Sequence, residues 1–306
     1  MSNYPGSTGK QVVLLDTGSY PSFSNFLNET WTFNGTDWTN QSTNLINPSG
    51  PLPGRTNASL GYDGTNLMLF GGQGGSAATG VLDDTWVWNG TTWTQLGGPG
   101  FSLASPSGRF SAGFSNHNTN QVVMFGGTNL LYKLLETWIW NGSTQLWTQV
   151  AIANGASPNA RTDHMMAGNT SGTTVLFGGQ GTNSQFNDTW TFNGTAWTQK
   201  FPSVSPSVRS DAAMTYDSTN GIFVMFGGRN EYNYLVETWT YNVGTNTWAQ
   251  VAVPNGTGPV GRIGAQMCYD PQSAKTLMFG GLGAGANYPL QDTWSFNSTT
   301  LTWTAL

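Results

Sequence analysis

Charged side chains are scarce in this sequence of 306 residues: they make up 8 % of it, against roughly 25 % in an average soluble protein. The net charge is −5, and no run of lysine or arginine occurs. This balance argues against non-specific binding to nucleic acid or to an anionic membrane. Neutral polar residues keep the chain polar instead, which is typical of secreted or surface-displayed proteins. We therefore expect an extracellular protein, or one displayed on a virion or cell surface.

Cysteine and long apolar runs are also rare or missing. Cys268 is the single cysteine, which excludes an internal disulfide and a cysteine-rich metal site. We predict no metal and no cofactor. No apolar run reaches the roughly 18 residues of a membrane span, so no membrane insertion is predicted. The first residues lack the basic and apolar regions of a secretory signal, so we expect a chain made without a signal, as a virion protein would be, or one whose signal was removed.

One unit of sequence recurs six times: an acidic residue, Thr and Trp, then an aromatic residue, a polar turn and, as a rule, a second Trp. The copies define repeats one to six and begin at Glu29, Asp84, Glu136, Asp188, Glu237 and Asp292. Their first tryptophans are 49 to 55 residues apart, a period that indicates a repeat architecture. All 14 tryptophans of the chain lie in these units. We interpret them as packing residues rather than as scattered binding aromatics.

Each repeat reads as four short strands. An arginine precedes the first strand, and an apolar run closed by a Gly pair forms the second, as in Leu67-Met68-Leu69-Phe70-Gly71-Gly72. The acid-Thr-Trp strand is the third, and the second Trp lies in the fourth. Asn-Gly turns between them favour hairpins. Four antiparallel strands in each of six units, with no helical periodicity, predict an all-β fold: a single six-bladed β-propeller.

The Gly pair, the aromatic strand and the second Trp, in this order, resemble the kelch-repeat family of the galactose-oxidase-like central-domain superfamily. The resemblance covers about residues 11–306. It implies a closed ring of four-stranded blades with the first strand of each blade lining a central channel. The predicted blades are approximately residues 1–40, 55–96, 109–150, 161–199, 209–251 and 262–306.

Repeat one departs from the pattern. It has Leu15-Asp16-Thr17-Gly18 where the others have Phe-Gly-Gly, and no arginine stands at the expected distance before it. Residues 2–8 are its only candidates for an inner strand, and Pro5 makes them poor ones. We expect either an irregular first blade or one whose inner strand lies upstream of Met1.

The repeated arginines are the first candidate binding residues. They are Arg55, Arg109, Arg161, Arg209 and Arg262, and they open on the same face as the loops that follow the Gly pairs. In one hypothesis each arginine pairs with the acid of its own repeat, because a guanidinium suits bidentate carboxylate pairing. In the other hypothesis the arginines form a ring that binds an anionic or carboxylate-bearing ligand, a position that a kelch adaptor for acidic peptides also uses. Both can hold at different repeats.

Aromatic residues in the loops after the Gly pairs are the second candidate set. The predicted binding residues are Tyr132, Phe186, Tyr232, Tyr234 and Tyr288, and Tyr20, Phe23 and Phe26 occupy the same loop of repeat one. Aromatic rings beside polar groups suit sugars as well as proteins. The alternative is that these rings merely cap the ring of blades.

Enzymatic activity is the least favoured interpretation, and no catalytic residue is assigned. The copper oxidase of the kelch group needs a Cys–Tyr crosslink and two histidines, but this chain has only His117, in a turn of the opposite face, and His164. Sialic-acid mutarotases of the family stay open, with His164, Asp163, Asp211 and Arg161 as the acid–base candidates. We expect a non-catalytic binding module for a protein or glycan ligand. Two alternatives remain: a structural subunit of a virion or surface appendage, which would self-assemble, and a sugar mutarotase.

Overall fold

The structure is a computed structural model that describes residues 28–42, 52–74, 80–98, 104–153, 155–254, 256–285 and 289–306, and the backbone of residues 11–14. It divides into two units, Met1–Ile152 and Ala153–Leu306. Repeats one to three, up to residue 152, form the first unit, and repeats four to six form the second.

The first unit contains two four-stranded antiparallel sheets and one three-stranded sheet. Repeat one pairs β1 (Gln11–Leu14), β2 (Thr30–Phe33) and β3 (Trp38–Asn40) in that order. Repeat two has β4 (Arg55–Thr56), β5 (Ser59–Tyr62), β6 (Leu67–Phe70), β7 (Gln73–Gly74), β8 (Thr85–Trp88) and β9 (Trp93–Gly97); its sheet order is β5-β6-β8-β9, and β4 pairs with β7. Repeat three has β10 (Gly113–Asn118), β11 (Gln121–Phe125), β12 (Thr137–Asn141) and β13 (Leu146–Val150) in sequence order.

The second unit contains three four-stranded antiparallel sheets. Repeat four has β14 (Met165–Gly168), β15 (Thr174–Phe177), β16 (Thr189–Phe192) and β17 (Trp197–Lys200). Repeat five has β18 (Ala213–Asp217), β19 (Ile222–Phe226), β20 (Thr238–Asn242) and β21 (Thr247–Val251). Repeat six has β22 (Arg262–Ile263), β23 (Gln266–Asp270), β24 (Lys275–Phe279), β25 (Leu282–Gly283), β26 (Thr293–Asn297) and β27 (Thr302–Ala305); its sheet order is β23-β24-β26-β27, with β22 paired to β25.

The all-β class and the four-stranded antiparallel blades of a propeller are confirmed, but the number of blades is not. Five four-stranded blades are present in the described residues, not the predicted six, because repeat one forms only the three-stranded sheet. The reason lies in the sequence, since repeat one lacks both the arginine and the Gly pair that the other repeats use to join their inner strands. Its expected inner strand, residues 2–8, and the segment 15–18 lie outside the described residues.

The second strand of each repeat supplies the core, as its apolar run predicts. Every residue of β6 and β15 is buried, as are four of the five in β11 and β19. Strands buried on both faces need neighbours on both sides, and core clusters accordingly combine residues of repeats two and three, four and five, and five and six. Met225 and Trp248 of repeat five, for example, pack with Phe177 of repeat four.

Two polar links join neighbouring repeats inside each unit. The second Trp of one repeat donates its indole N–H to the Thr of the acid-Thr-Trp unit in the repeat before it. The pairs are Trp93 to Thr30, Trp147 to Thr85, Trp248 to Thr189 and Trp303 to Thr238, at 2.9 to 3.0 Å. The Gly pair makes the other link. The Gly179 N–H donates to the carbonyl of Arg209 at 2.8 Å, and a Cβ on Gly178 would lie 2.7 Å from that oxygen. Both glycines have positive φ, so the pair is required by conformation and by space.

Candidate functional site

The five repeated arginines are buried, with 0 to 2 % of each residue exposed. Each one stands four residues before the first strand of its four-stranded sheet and reaches the first residue of the acid-Thr-Trp unit in its own repeat. Arg161 shows the pattern: its Nη1 lies 2.6 Å from Asp188 Oδ1, and its Nη2 lies 2.8 Å from Oδ2. Nη1 also donates to the Gly178 carbonyl, and Nε to the Asn159 carbonyl. The remaining pairs are Arg55–Asp84, Arg109–Glu136, Arg209–Glu237 and Arg262–Asp292.

This geometry supports the pairing hypothesis for the arginines. Each guanidinium donates to one carboxylate, to a carbonyl of the Gly pair and to a carbonyl of the preceding linker. It thus holds these three segments of its repeat together. Burial lowers the pKa of Arg209, and the hydrogen bond and charge of Glu237 counteract that shift. Burial alone would raise the pKa of Glu237, but hydrogen bonds from Arg209 and Trp239 bring it below its ordinary value. None of the five guanidiniums faces solvent, so an anionic ligand would have to displace a carboxylate to reach one.

The acid of the repeat also accepts a hydrogen bond from the first Trp. The indole N–H groups of Trp31, Trp86, Trp190, Trp239 and Trp294 donate to Glu29, Asp84, Asp188, Glu237 and Asp292 at 2.6 to 3.0 Å. Repeat three differs: Glu136 Oε2 lies 3.0 Å from Arg109 Nη2, while the buried Trp138 Nε1 has no hydrogen-bond partner. The acid at the start of the third strand therefore contacts the Trp of that strand and the arginine that precedes the first strand. Through the arginine it is also linked to the Gly pair after the second strand.

The loops after the Gly pairs form short hairpins in repeats three, four and five. Bridge pairs Thr128–Lys133, Gln180–Gln185 and Arg229–Tyr234 close them. We call them the repeat-three loop (residues 128–135), the repeat-four loop (180–185) and the repeat-five loop (229–236). The base of each loop pairs with the residue after the repeated arginine, as Arg229 does with Ser210. The arginine and the loop thus lie at the same end of the sheet, as predicted.

An asparagine fixes the tip of two of these loops. Asn129 Oδ1 accepts the backbone N–H groups of Leu131 and Tyr132, both at 3.1 Å. Asn230 Oδ1 accepts those of Tyr232 and Asn233 at 3.0 and 2.8 Å. The tips are therefore rigid turns of the same kind with different side chains. A set of equivalent turns with varied tips is suited to recognition, because the backbone is ordered before a ligand binds.

A second polar cluster lies beside the repeat-five loop. Asp163 and Asp211 stand two residues after their repeated arginines, both with positive φ, and the Asp211 N–H donates to the Asp163 carbonyl at 2.9 Å. The Asp211 carboxylate accepts from Ser210 Oγ and from Arg229 Nε, at 2.9 and 3.0 Å. Burial and the nearby Asp163 charge raise the pKa of Asp211, against the opposing effect of Ser210 and Arg229. Arg229 is half exposed, unlike the five repeated arginines.

A comparison with protein-family models identifies the repeats. The model of the KLHDC2/KLHL20/DRC7 Kelch-repeats domain matches residues 137–306, more than half of the chain. The chain belongs to this kelch-repeat family. No curated protein sequence matches it. Kelch propellers are in general non-catalytic modules that bind protein partners, and this supports a binding role for the present kelch domain.

The aromatic residues predicted to bind a ligand occupy different depths of this kelch domain. Tyr132 and Tyr232 stand on the loop tips, 64 % and 81 % exposed. Phe186 is half-buried and lies over the Arg161 guanidinium, with 4.1 Å between Cζ and the ring centroid. Tyr234 is half-buried at the base of the repeat-five loop. Tyr288, like Tyr20, Phe23 and Phe26, lies outside the described residues. The structure thus separates two exposed tyrosines from two half-buried aromatic residues, Phe186 and Tyr234.

Sequence reasoning did not find two features of this end of the sheets. The exposed Leu130, Leu131 and Leu135 accompany Tyr132, and their signal was a pair of leucines at a turn that carries Thr182-Asn183 in repeat four and Glu231-Tyr232 in repeat five. Arg229 went unremarked because it stands outside the repeated arginine column. Two of the acid–base candidates belong to separate ion pairs: Arg161 pairs with Asp188, and Asp211 pairs with Arg229.

His164 is buried, with 7 % exposed. Burial, and then the nearby charge of Arg161, lowers its pKa well below the ordinary histidine value, so its ring is neutral at pH 7. His117 does not lie in a turn as predicted, because it forms part of strand β10, where it too is buried. Within the ranges that the structure describes, no three His, Cys, Asp or Glu side chains gather closely enough to hold a metal ion. The same ranges contain no helix long and apolar enough to cross a membrane.

Proposed function

We propose that this chain is a kelch-type binding module that takes a protein ligand on the repeat-five loop. The observation that carries the proposal is Tyr232: its side chain is 81 % exposed at the tip of a turn whose backbone is already held by Asn230. Tyrosine gives a large contact area for a small loss of conformational entropy, because its side chain has only two rotatable bonds. A preordered tyrosine of this kind is typical of a binding hot spot.

The surroundings of Tyr232 support a protein ligand. Arg229 is half exposed and held in place by Asp211, so it can offer hydrogen-bond donors at little further entropic cost. Val236 and Val260 are 60 % and 57 % exposed, and Val236 Cγ1 lies against Gly261, beside Val260. Tyr and Arg are the residue types enriched among hot spots of protein interfaces, and the valines add apolar area at the margin.

Neighbouring elements brace this loop from below. Gln185 of the repeat-four loop donates to the carbonyl of Arg229 at 3.3 Å and to Ser210 Oγ at 3.0 Å. Leu235 N–H returns to the Gly228 carbonyl at 2.8 Å. A ligand would therefore meet a surface that moves little, which favours specific recognition over induced ordering.

A display selection tests the proposal. Random peptides displayed on phage are selected on the immobilised protein, and the enriched peptides are titrated against the wild type, Tyr232→Ala and Thr182→Ala. Thr182 is the matched control, because it is exposed on the repeat-four loop of the same unit. We expect Tyr232→Ala to weaken binding by about 2 kcal/mol, or roughly thirtyfold in Kd, and Thr182→Ala to leave it unchanged. Peptides that bind both variants like the wild type would contradict the proposal.

Two further measurements test the alternatives of a saccharide ligand and of self-assembly. A glycan array on the same protein supports a saccharide ligand instead, if a sugar binds and Tyr232→Ala abolishes it while no peptide is enriched. Light scattering addresses the assembly alternative, because a subunit that self-assembles would grow in mass with concentration. The low charge of the chain supports a place outside the cytoplasm for this module, as secreted and virion proteins often have neutral polar surfaces.

A further inference from the structure

The repeat-three loop exposes more large apolar side chains than the repeat-four and repeat-five loops do. Leu130, Leu131, Tyr132 and Leu135 are 50 %, 77 %, 64 % and 57 % exposed. The loop contains no acidic residue, and Lys133 is its single charge. Three consecutive exposed apolar side chains, with a fourth three residues further on, are typical of a surface that contacts a partner or a membrane.

The fold itself does not require these leucines. The same turn in repeat four carries Gly181-Thr182-Asn183-Ser184, and in repeat five it carries Asn230-Glu231-Tyr232-Asn233. All three turns return an N–H to a carbonyl across the tip, so the backbone forms with polar residues as well. The conformation of the turn therefore does not explain why repeat three has apolar side chains at this position.

The backbone N–H groups at this tip have hydrogen-bond partners within the loop. Leu130 N–H donates to Thr128 Oγ1 at 3.3 Å, and Leu131 and Tyr132 N–H donate to Asn129 Oδ1. The Tyr132 carbonyl accepts from Thr128 Oγ1 at 3.0 Å and from the Asn129 N–H at 3.4 Å. The N–H groups of Leu130, Leu131 and Tyr132 thus have partners within the loop, which lowers the cost of moving this tip into a layer with little water.

We propose that the repeat-three loop inserts Leu130, Leu131 and Tyr132 into the interfacial layer of a lipid bilayer. Leucine is under-represented among hot spots of protein interfaces, whereas leucine tips with a tyrosine and a lysine beside them are typical of shallow membrane contact. The net charge of −5 favours a zwitterionic surface over an anionic one. This goes beyond the proposed protein ligand and uses a different loop, so either proposal can fail alone.

Vesicles of phosphatidylcholine provide the first test. Sedimentation with vesicles is compared for the wild type, Leu131→Ser and Tyr232→Ser. Because both positions are exposed, the variants keep the fold. We expect Leu131→Ser to lower the partition constant by about tenfold, since a leucine no longer enters the apolar layer. Tyr232→Ser should partition like the wild type. Replacing part of the lipid with phosphatidylglycerol should not strengthen binding.

A site-specific label gives an independent readout. Cys268 is buried, so an environment-sensitive dye attaches selectively to an engineered thiol in Leu131→Cys or, as the control, in Asn183→Cys on the repeat-four loop. We expect a blue shift on vesicles for the first position and none for the second. The proposal is overturned if the wild type does not partition, if Leu131→Ser partitions equally, or if the repeat-three tip binds displayed peptides while vesicles leave the dye unchanged.

Discussion

The repeated arginine is a central structural residue of this kelch domain, because its buried guanidinium binds several segments of the repeat. In Arg55, one guanidinium meets both oxygens of Asp84 at 2.7 Å, the Gly71 carbonyl at 2.8 Å and the Pro53 carbonyl at 3.1 Å. Asp84 in turn accepts the Trp86 indole at 2.6 Å. A buried charge is tolerated only when its donors are matched in this way, so the arginine fixes the positions of the acid, the Gly pair and the linker. The repeated arginines are therefore structural residues, and the proposed binding site lies on loop residues that do not repeat.

His164 is a residue-scale exception within the repeat. The third residue after the repeated arginine is Ala58, Ala112, Ala212 and Ala265 in the other four repeats. The His164 imidazole is buried and neutral, with its pKa lowered by burial and by Arg161. When the chain unfolds, the histidine regains its ordinary pKa and takes up a proton at acidic pH. The histidine therefore stabilises the fold above about pH 6.5, and this contribution is lost as the pH falls below that value.

His164→Ala tests this linkage. We expect the stability of the variant relative to the wild type to increase on going from pH 7.5 to pH 5, by up to about 2 kcal/mol. The measurement is urea denaturation at both pH values, compared as a difference between the two proteins. His117 is common to both proteins, so its own titration cancels. A difference between wild type and variant that stays constant with pH would show that folding does not shift the pKa of this histidine.

At the scale of the strand, the indole-to-threonine bond is the link that recurs between repeats. Thr189 on β16 accepts the Trp248 indole from β21 at 3.0 Å, and both residues are buried. A valine at this position keeps the shape of the side chain and removes the acceptor, which leaves a buried N–H without a partner.

Thr189→Val is therefore expected to destabilise the protein by about 1–3 kcal/mol. Thr189→Ser, which keeps the hydroxyl, should recover part of this loss. The matched control is Thr198→Val on β17 of the same sheet, where the side chain is exposed, and we expect a change within about 0.5 kcal/mol. Denaturant midpoints measure all three. An equal loss for Thr189→Val and Thr198→Val would mean that the hydrogen bond contributes nothing.

The strands of this domain follow from its sequence much further than its binding surface does. The apolar runs closed by Gly-Gly became β6, β11, β15, β19 and β24, because a continuous apolar run and its closing glycines act locally. The pairing of arginine with acid was one of two open hypotheses, and only the fold, which brings residues 27 positions apart together as in Arg161 and Asp188, distinguishes them. The loop tips were harder still. Whether an aromatic residue stands exposed like Tyr232 or packs like Phe186 depends on the tertiary contacts around it. The predicted count of six blades was wrong because the acid-Thr-Trp unit of repeat one was counted as a blade, although the arginine and Gly pair that signal an inner strand are missing there.

At the scale of the whole molecule, scarcity of charge sets how the chain behaves in solution. The isoelectric point is about 4.8, and the chain has few charged residues of either sign. The outer strands β13 and β21, with the sequences LWTQV and TWAQV, contain no charged residue, and each forms the last strand of its sheet. Natural sheet proteins commonly place charges on such edges, since an uncharged edge can pair with another chain.

We expect the protein to associate near its isoelectric point through these outer strands. The double substitution Gln149→Glu and Gln250→Glu adds two charges at exposed positions of β13 and β21. The control is Asn183→Asp with Gln272→Glu, which adds the same charge at exposed positions outside the strands. Both variants should move the pH of maximum turbidity to lower values, because both lower the isoelectric point. Only the strand variant should also reduce the maximum turbidity, because it places like charges where two edges would meet. Turbidity between pH 4 and pH 7, with circular dichroism to verify that the strands persist, measures both effects. Equal suppression by the two variants would assign the association to net charge alone.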